Sequence, residues 1–245
     1  MVYPKRLRAS LLQRPFLPAG IAGVFALLAA VWVVAPLRRI PFEVPPPFLD
    51  AMMAIQWAAY PTTVDALLGT AIGRAERIGA ILEATQRDSL FVLAYGWFLV
   101  AFTVAAARMS KHNAYFILCV LALLIGAADL AENAAIRTLL SLYGSDLYEP
   151  GGADYVRIHL FARLKWAGLA LYFAGAAFYF GLHERQRARL LAIPSGLVAA
   201  AGALAQFSDA WAEPYALSVF GLFFIAIGYC FWKKVTIPKA LPASP

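Results

Sequence analysis

The stretch that decides the fold is residues 114–140, AYFILCVLALLIGAADLAENAAIRTLL. It reaches the roughly 17–25 residues that an apolar helix needs to cross a bilayer. Within it, Asp129, Glu132 and Asn133 stand among apolar residues. A run of this kind predicts a transmembrane helix that carries a polar site.

Five further runs reach a comparable length, and they lie at 19–37, 89–107, 159–182, 190–207 and 215–232. The composition agrees, because 62% of the residues are hydrophobic and only 14% are charged, whereas soluble domains carry about 25% charged residues. A length of 245 residues leaves room for a single membrane domain, 1–245. The sequence therefore predicts an all-α, polytopic membrane helix bundle with six transmembrane helices. Glycines within the spans predict close helix packing; they are Gly168, Gly175, Gly202, Gly221 and Gly228.

The charges of the loops predict the orientation. One set of loops and tails is basic: Lys5, Arg6, Arg8, Arg14, Arg108, Lys111, Arg185, Arg187, Arg189, Lys233, Lys234 and Lys239. The opposite set is acidic: Asp146, Glu149, Asp154, Asp209 and Glu213. Lys and Arg collect in cytoplasmic loops, so both termini are predicted to be cytoplasmic, in a bacterial inner membrane. The net charge of +7 thus reflects topology, and no nucleic-acid partner is predicted.

Residues 38–87 are predicted to form an outer segment. Residues 48–60 are apolar but too short to span, so we expect them at the interface or against the bundle. Thr62 is the predicted helix cap, with Asp65 in the first turn. Apolar residues then recur at spacings of three and four, at Val64, Leu68, Ala71, Ala75, Ile78 and Leu82. This pattern predicts an amphipathic helix that continues into the second span.

Ionisable residues inside the spans define the candidate site, because such groups are costly in lipid and face the bundle interior. Asp129, Glu132 and Asn133 share one helix face, since residues three and four apart are neighbours on a helix. Asp88 opens the second span on the same side of the membrane, and Tyr95 lies below it.

The fourth span adds Arg163 and Lys165 at a similar depth. Because they are two positions apart, only one can face the site, and Lys165 is the predicted inward residue. Three carboxylates facing one or two cations leave a negative surplus. That surplus must be protonated, solvated or bound to a cation.

Several chemical interpretations follow from this cluster. The charges can pair only to fix the helix register, or they can form a ligand-binding or reactive site. A metal site on Asp88, Asp129, Glu132 and His159 is disfavoured, because cations stand in the same cluster. No Gly-rich phosphate loop or H-E-x-x-H pattern occurs, so no cofactor is predicted.

Three motifs follow one another along the chain: Asp88-x-x-Phe91-x-x-x-Tyr95-Gly96, Ala128-Asp129-x-x-Glu132-Asn133 and Lys165-Trp166-x-x-Leu169. This order resembles the pattern of a family of small uncharacterised bacterial multi-pass membrane proteins. The resemblance covers roughly residues 62–182 and leaves out the last two spans. It implies that the acidic and lysine positions belong to one common core. It implies no reaction.

The leading hypothesis is an integral membrane protein with an outward-facing polar pocket that binds a small ligand or a lipid head group. The first alternative is a membrane enzyme acting on a lipid-like substrate, with Glu132 or Asp129 as general base and Lys165 as electrostatic stabiliser. The second is a structural or assembly subunit whose charges only lock the bundle. Membrane lipids are the partners common to all three hypotheses.

The predicted orientation can be tested with single cysteines at Ser110 and Ser145, in a background where Cys119 and Cys230 are replaced by serine. We expect a membrane-impermeant maleimide added to spheroplasts to label Ser145→Cys and to leave Ser110→Cys unlabelled. The reverse labelling would invert the topology.

Overall fold

The computed structural model describes residues 14–57, 60–69, 71–143, 151–184 and 186–234. The predicted acidic loop around Asp146 and Glu149 and the basic residues Lys5, Arg6 and Arg8 lie outside these ranges. The described residues form helices and connecting turns, with no strand among them. In chain order the α-helices are α1 (Leu17–Val34), α2 (Ala51–Gln56), α3 (Pro61–Leu68), α4 (Ala71–Ser110), α5 (Ile117–Tyr143), α6 (Gly152–His183), α7 (Ala192–Ala205) and α8 (Ala212–Trp232).

Five helical stretches are long and apolar enough to cross a membrane, as in an integral membrane protein. They are Leu17–Arg39, Ile72–Ser110, Asn113–Tyr143, Ala188–Ala205 and Asp209–Trp232. Helix α6 has 32 residues but is not in this set, because Arg157, Arg163 and Lys165 lower the hydropathy of its first half. The all-α membrane bundle is therefore observed, and the sixth span stays a prediction.

The six long helices pack as a closed ring. Helix α1 packs on α4, α4 on α5, α5 on α6, α6 on α7, α7 on α8, and α8 on α1. Short connections make the long helices from α4 to α8 antiparallel in turn. Helix α1 is antiparallel to α4, because Gly23 lies beside Phe98 and Trp32 beside Arg87. Helices α4, α6 and α8 therefore begin at the end where α1, α5 and α7 finish. We name this the capped end, because α2 lies across it, packed on α5 and α6. The other end, which contains the start of α1 and the finish of α8, is named the opposite end.

Aromatic rings fill the opposite end of the ring. The rings in mutual contact there are Phe16, Phe98, Phe102, Tyr179, Phe180 and Tyr229. A void beside these rings measures about 20 Å³, which is close to the space of one water molecule. This half of the bundle is therefore densely packed.

A buried carboxylate ties the helix ends together below these rings. Glu184 follows α6 and accepts hydrogen bonds from the hydroxyls of Tyr179 at 3.0 Å and Tyr229 at 2.7 Å. It also pairs with the ammonium of Lys233. Because Tyr229 and Lys233 belong to α8 and its C-terminal end, this clamp joins α6 to α8 at the opposite end.

The segment before α2 is anchored on the last helix. Asp50 caps α2, and its Oδ1 accepts from the backbone N–H groups of Met52 at 2.8 Å and Met53 at 3.1 Å. Glu213, in the first turn of α8, accepts from the N–H groups of Leu49 at 2.8 Å and Asp50 at 3.0 Å. Residues 48–57 therefore lie against the bundle, which is one of the two predicted positions.

The amphipathic helix predicted from Thr62 onward is two helices. Helix α3 begins at Pro61, which suits the first helical position because it needs no backbone donor there. The predicted cap at Thr62 is therefore wrong, and no acidic residue occupies the first turn. Gly69, with φ of 66°, ends α3, and Gly73, with φ of 82°, kinks the start of α4. Only glycine adopts these angles without strain.

The predicted apolar stripe holds for α3 and fails for α4. Val64 and Leu68 are fully buried. Ala75 is exposed, while Ile78 and Leu82 are half-buried. The break at the two glycines resets the helical phase. The buried side of α4 here comprises Ala80, Ile81, Ala84, Thr85 and Asp88. Beyond Gly73, α4 continues without a break through the predicted second span to Ser110.

Small residues close the ring between α1 and α8. A Cβ atom placed on Gly23 would lie 2.4 Å from Cγ1 of Ile227, so only glycine permits this approach. The predicted close packing also occurs at Gly168, Gly175 and Gly202, where a Cβ would meet a neighbour within 2.7 Å. It does not occur at Gly221 and Gly228, which have open space beside them.

We expect Gly23→Leu to lower the free energy of unfolding by about 1–3 kcal/mol, because overpacking forces α1 and α8 apart. Gly221→Leu is the matched control, since it adds the same side chain to the same kind of helix where nothing lies near. Thermal unfolding in detergent measures both. Equal stability of the two variants would contradict the closure described here.

Candidate functional site

The ammonium of Lys165 is the centre of a buried polar cluster formed by α4, α5 and α6. Its Nζ lies 3.1 Å from Oδ1 of Asp129 and 2.8 Å from Oε2 of Glu132. The hydroxyl of Tyr95 donates to the other oxygen of Asp129 at 2.7 Å. Lys165 is only 4% exposed and Glu132 is fully buried. Charges at such depth persist only when they are paired.

The partner of Asp88 in this cluster is neutral. The amide of Asn133 donates to Oδ2 of Asp88 at 2.7 Å, and Asp88 has no ion pair with any described side chain. Oε1 of Glu132 and Oδ1 of Asn133 are buried without a hydrogen-bond partner in the described part of the chain. With every group ionised, three carboxylates and one ammonium leave two uncompensated negative charges. This surplus must be protonated, solvated or bound to a cation.

The structure brings together six of the seven predicted ligand-binding residues: Asp88, Tyr95, Asp129, Glu132, Asn133 and Lys165. Arg163 is the exception. Its guanidinium donates to Nε2 of His159 at 2.7 Å, binds the carbonyl oxygen of Gln206 and pairs with Asp209 at 3.2 Å. Residues that are two positions apart on a helix point to different faces. Arg163 therefore binds the turn before α8, while Lys165 faces inward.

His159 does not join the carboxylates either. It accepts from Arg163 and meets the ring of Trp57 edge-on, with centroids 6.3 Å apart. Among the described residues, no group of three or more His, Cys, Asp and Glu side chains is arranged to hold a metal ion. The four weak metal candidates therefore do not form one site.

A cavity of about 460 Å³ opens beside the cluster, in the capped half of the bundle. Its floor is formed by Asp88, Tyr95, Asp129 and Lys165. Its apolar walls come from Ala26, Leu27, Ala30, Val33 and Val34 of α1, Phe91 of α4, Leu169 of α6, and Ala216, Leu217, Val219, Phe220 and Phe223 of α8. Met52, Met53 and Gln56 of α2 line it from the cap. Glu132 lies behind Lys165 and does not line it.

Sequence reasoning missed five residues with polar side-chain atoms that line this cavity: Arg38, Asp50, Gln56, Trp166 and Glu213. One local signal was available, because an Asp directly before the apolar run 51–55 marks a helix cap. Nothing local to Glu213 predicts that its carboxylate binds the backbone of residues 49 and 50. Gln56 stands in the apolar run 48–60, and Trp166 follows Lys165 without a role of its own.

Comparison of the chain with protein-family models, with curated proteins and with solved structures finds no match. The resemblance to small bacterial membrane proteins therefore stays a prediction, and the geometry of the site carries the functional argument.

The ion pairs of Lys165 predict how the free energy of unfolding changes when the lysine charge is removed. We expect Lys165→Met to lower the free energy of unfolding by about 3–5 kcal/mol, because it leaves buried carboxylates without a counter-charge. Adding Asp129→Asn and Glu132→Gln to the same chain should recover much of this loss.

Unfolding in detergent measures these variants, with Lys234→Met, at an exposed position, as control. If the triple variant is as unstable as Lys165→Met alone, the unpaired buried carboxylates are not the cause of the loss.

Proposed function

We propose that this chain is a six-span protein of the bacterial cytoplasmic membrane whose charged cavity is an outward-facing pocket for a small ligand or lipid head group. The observation that carries the proposal is the cavity of about 460 Å³ above the cluster of Lys165. Small-molecule sites measure about 300–1,000 Å³, with apolar walls and a few convergent polar groups. The cavity has this composition.

The pairing within the cluster favours binding over a purely structural role. A structural cluster would be dry and fully paired. Here Asp88 has only a neutral amide as partner, and Asp88, Tyr95, Asp129 and Lys165 all face the cavity. Polar groups that border an open space in a membrane bundle mark ligand or ion sites by default.

The geometry gives less support to the enzymatic alternative. A general base must lie within hydrogen-bond reach of the substrate proton that it removes. Glu132 is fully buried behind Lys165, and both oxygens of Asp129 are already engaged by Lys165 and Tyr95. No carboxylate at the floor is therefore left as a free base except Asp88, which lines the cavity.

Helix α6 completes the proposed set of six spans. It occupies a full place in the ring between α5 and α7. Its side away from the bundle presents large apolar side chains, with Leu171, Phe178 and Leu182 between 62% and 68% exposed. Such a surface needs lipid around it, and the charged Lys165 points inward, as charged side chains in spans do.

The distribution of basic residues supports an outward-facing cavity. Arg108, Lys111, Lys233 and Lys234 lie at the opposite end, which the positive-inside rule assigns to the cytoplasm. At the capped end, Arg38, Arg39, Arg137 and Arg157 are exposed, whereas three other arginines are engaged in local structure. Arg77 donates to the carbonyl oxygens of Leu68 and Pro41, Arg87 pairs with Glu83, and Arg163 pairs with Asp209.

Native mass spectrometry of the purified protein tests the pocket. We expect a bound adduct on the wild-type chain and its loss from Ala216→Trp, because the indole would fill the cavity. Gly221→Trp is the control on the same helix, at an exposed position with open space beside it, and it should keep the adduct.

An adduct that survives Ala216→Trp would place the ligand outside the cavity. The absence of any adduct from all three proteins, repeated after purification in the mildest detergent that extracts the chain, would reject the pocket.

A further inference from the structure

We infer that the occupant of this pocket is a membrane phospholipid with a protonated amine in its head group, which enters sideways between α1 and α8. This inference rests on the proposed function and assigns the ligand class and its route. Three independent observations carry it: the shape of the wall between α1 and α8, the charges of the floor, and unpartnered polar atoms in the lining.

The first observation is that the wall between α1 and α8 opens toward lipid. The two helices touch closely near the opposite end, at Gly23 and Ile227. Toward the capped end the cavity lies between them, lined by Ala30 of α1 and by Leu217 and Phe220 of α8. Leu217 is 62% exposed and Phe220 is 40% exposed, so side chains that line the cavity also reach the outer surface of the ring. The cavity therefore borders the apolar outer surface of the ring between α1 and α8.

The second observation is the sign of the charge. Four carboxylates line the cavity, Asp50, Asp88, Asp129 and Glu213, against the two cations Arg38 and Lys165. The Asp50 and Glu213 carboxylates are engaged by backbone N–H groups, and Asp129 is paired with Lys165. Asp50, Asp88 and Glu213 all lack a counter-charge among the described side chains. Asp88 is the one that lies in the Lys165 cluster at the floor, so a ligand ammonium fits there.

The third observation concerns polar atoms that have no partner. Gln56 is 8% exposed and Trp166 is 6% exposed, and both line the cavity. Among the described residues, Oε1 of Gln56 and Nε1 of Trp166 have no hydrogen-bond partner. Leaving a buried acceptor and a buried donor unmatched is unfavourable. Both atoms have less than 1 Å² of accessible surface, so a head group with N–H donors and phosphate oxygens can pair with them only after the two side chains rotate toward the cavity.

Arg38 provides a cationic partner for the phosphate of the head group. It lines the cavity from the chain just beyond α1, is exposed, and makes no ion pair with a described side chain. Arginine binds phosphate through parallel N–H donors. A zwitterionic head group would thus place its ammonium at Asp88 and its phosphate at Arg38, with its acyl chains leaving between α1 and α8. A soluble amine would leave the apolar walls and Arg38 unused.

The test is lipid competition on the full chain. The protein is reconstituted into bilayers with equal amounts of dioleoyl phosphatidylethanolamine, phosphatidylcholine and phosphatidylglycerol, then extracted, and bound lipid is quantified by mass spectrometry. We expect phosphatidylethanolamine to be enriched about tenfold over phosphatidylglycerol, equivalent to about 1.4 kcal/mol. Phosphatidylcholine should fall between them, because its quaternary ammonium carries charge but donates no hydrogen bond to Asp88.

Three variants separate the parts of the inference. Asp88→Asn should abolish the preference for phosphatidylethanolamine, and Arg38→Gln should reduce retention of all three lipids. Ala30→Trp should block entry, whereas Leu28→Trp, on the same helix at a 63% exposed position outside the cavity lining, should not. Melting temperatures verify that each variant is folded. If Asp88→Asn does not fold, unchanged lipid retention in Arg38→Gln and Ala30→Trp overturns the inference.

Binding of soluble probes distinguishes this inference from the proposed function. If ethanolamine or phosphoethanolamine binds in an Asp88-dependent manner while no phospholipid is retained, the pocket stands and lateral lipid entry is wrong. Equal retention of phosphatidylglycerol and phosphatidylethanolamine also overturns the amine assignment. If neither lipids nor soluble amines bind, both the inference and the proposed pocket fail.

Discussion

A lysine ammonium in the middle of a membrane bundle is the constraint on which the rest of this structure depends. Lys165 can occupy its position only because Asp129 and Glu132 lie within 3.1 Å of it, and this pairing fixes α6 against α5. The same Asp129 accepts the hydroxyl of Tyr95, which brings α4 into the network. One buried charge thus sets the register of three helices, and the neighbouring contact between Asn133 and Asp88 keeps α4 and α5 in that register.

The remaining helices complete a ring whose two halves differ. Near the opposite end, aromatic rings and the Glu184 clamp fill the interior. Toward the capped end, α1 and α8 no longer fill the space beside the Lys165 cluster, and the interior is hollow. The polar network is therefore exposed to the cavity on one side and sealed by packed rings on the other. This division lets the same charges hold the bundle and border the cavity.

Helical periodicity is the reason that much of the cluster could be predicted from the sequence. Spacings of three and four place Asp129, Glu132 and Asn133 on one face, and a spacing of two excludes Arg163 once Lys165 faces inward. Contacts between distant segments have no such local rule. The hydrogen bond from Leu49 to Glu213 joins residues 164 positions apart, so the cap over the cavity could not be foreseen. The apolar stripe predicted from Val64 to Leu82 does not follow the buried side of α4, because the positive φ angles of Gly69 and Gly73 shift the helical phase beyond them.

The packed rings at the opposite end determine whether a molecule in the cavity can cross the membrane through this bundle. In this conformation the cavity is closed toward the opposite end, because the packed rings of Phe98, Phe102 and Phe180 fill the space between the helices there. Glu184 joins α6 to α8 and its C-terminal end beneath them, so these helices cannot part there without breaking its contacts with Tyr229 and Lys233. A molecule that enters must leave by the side from which it came. Such an arrangement suits the capture and presentation of a molecule within one leaflet, and opposes its translocation from one face of the membrane to the other.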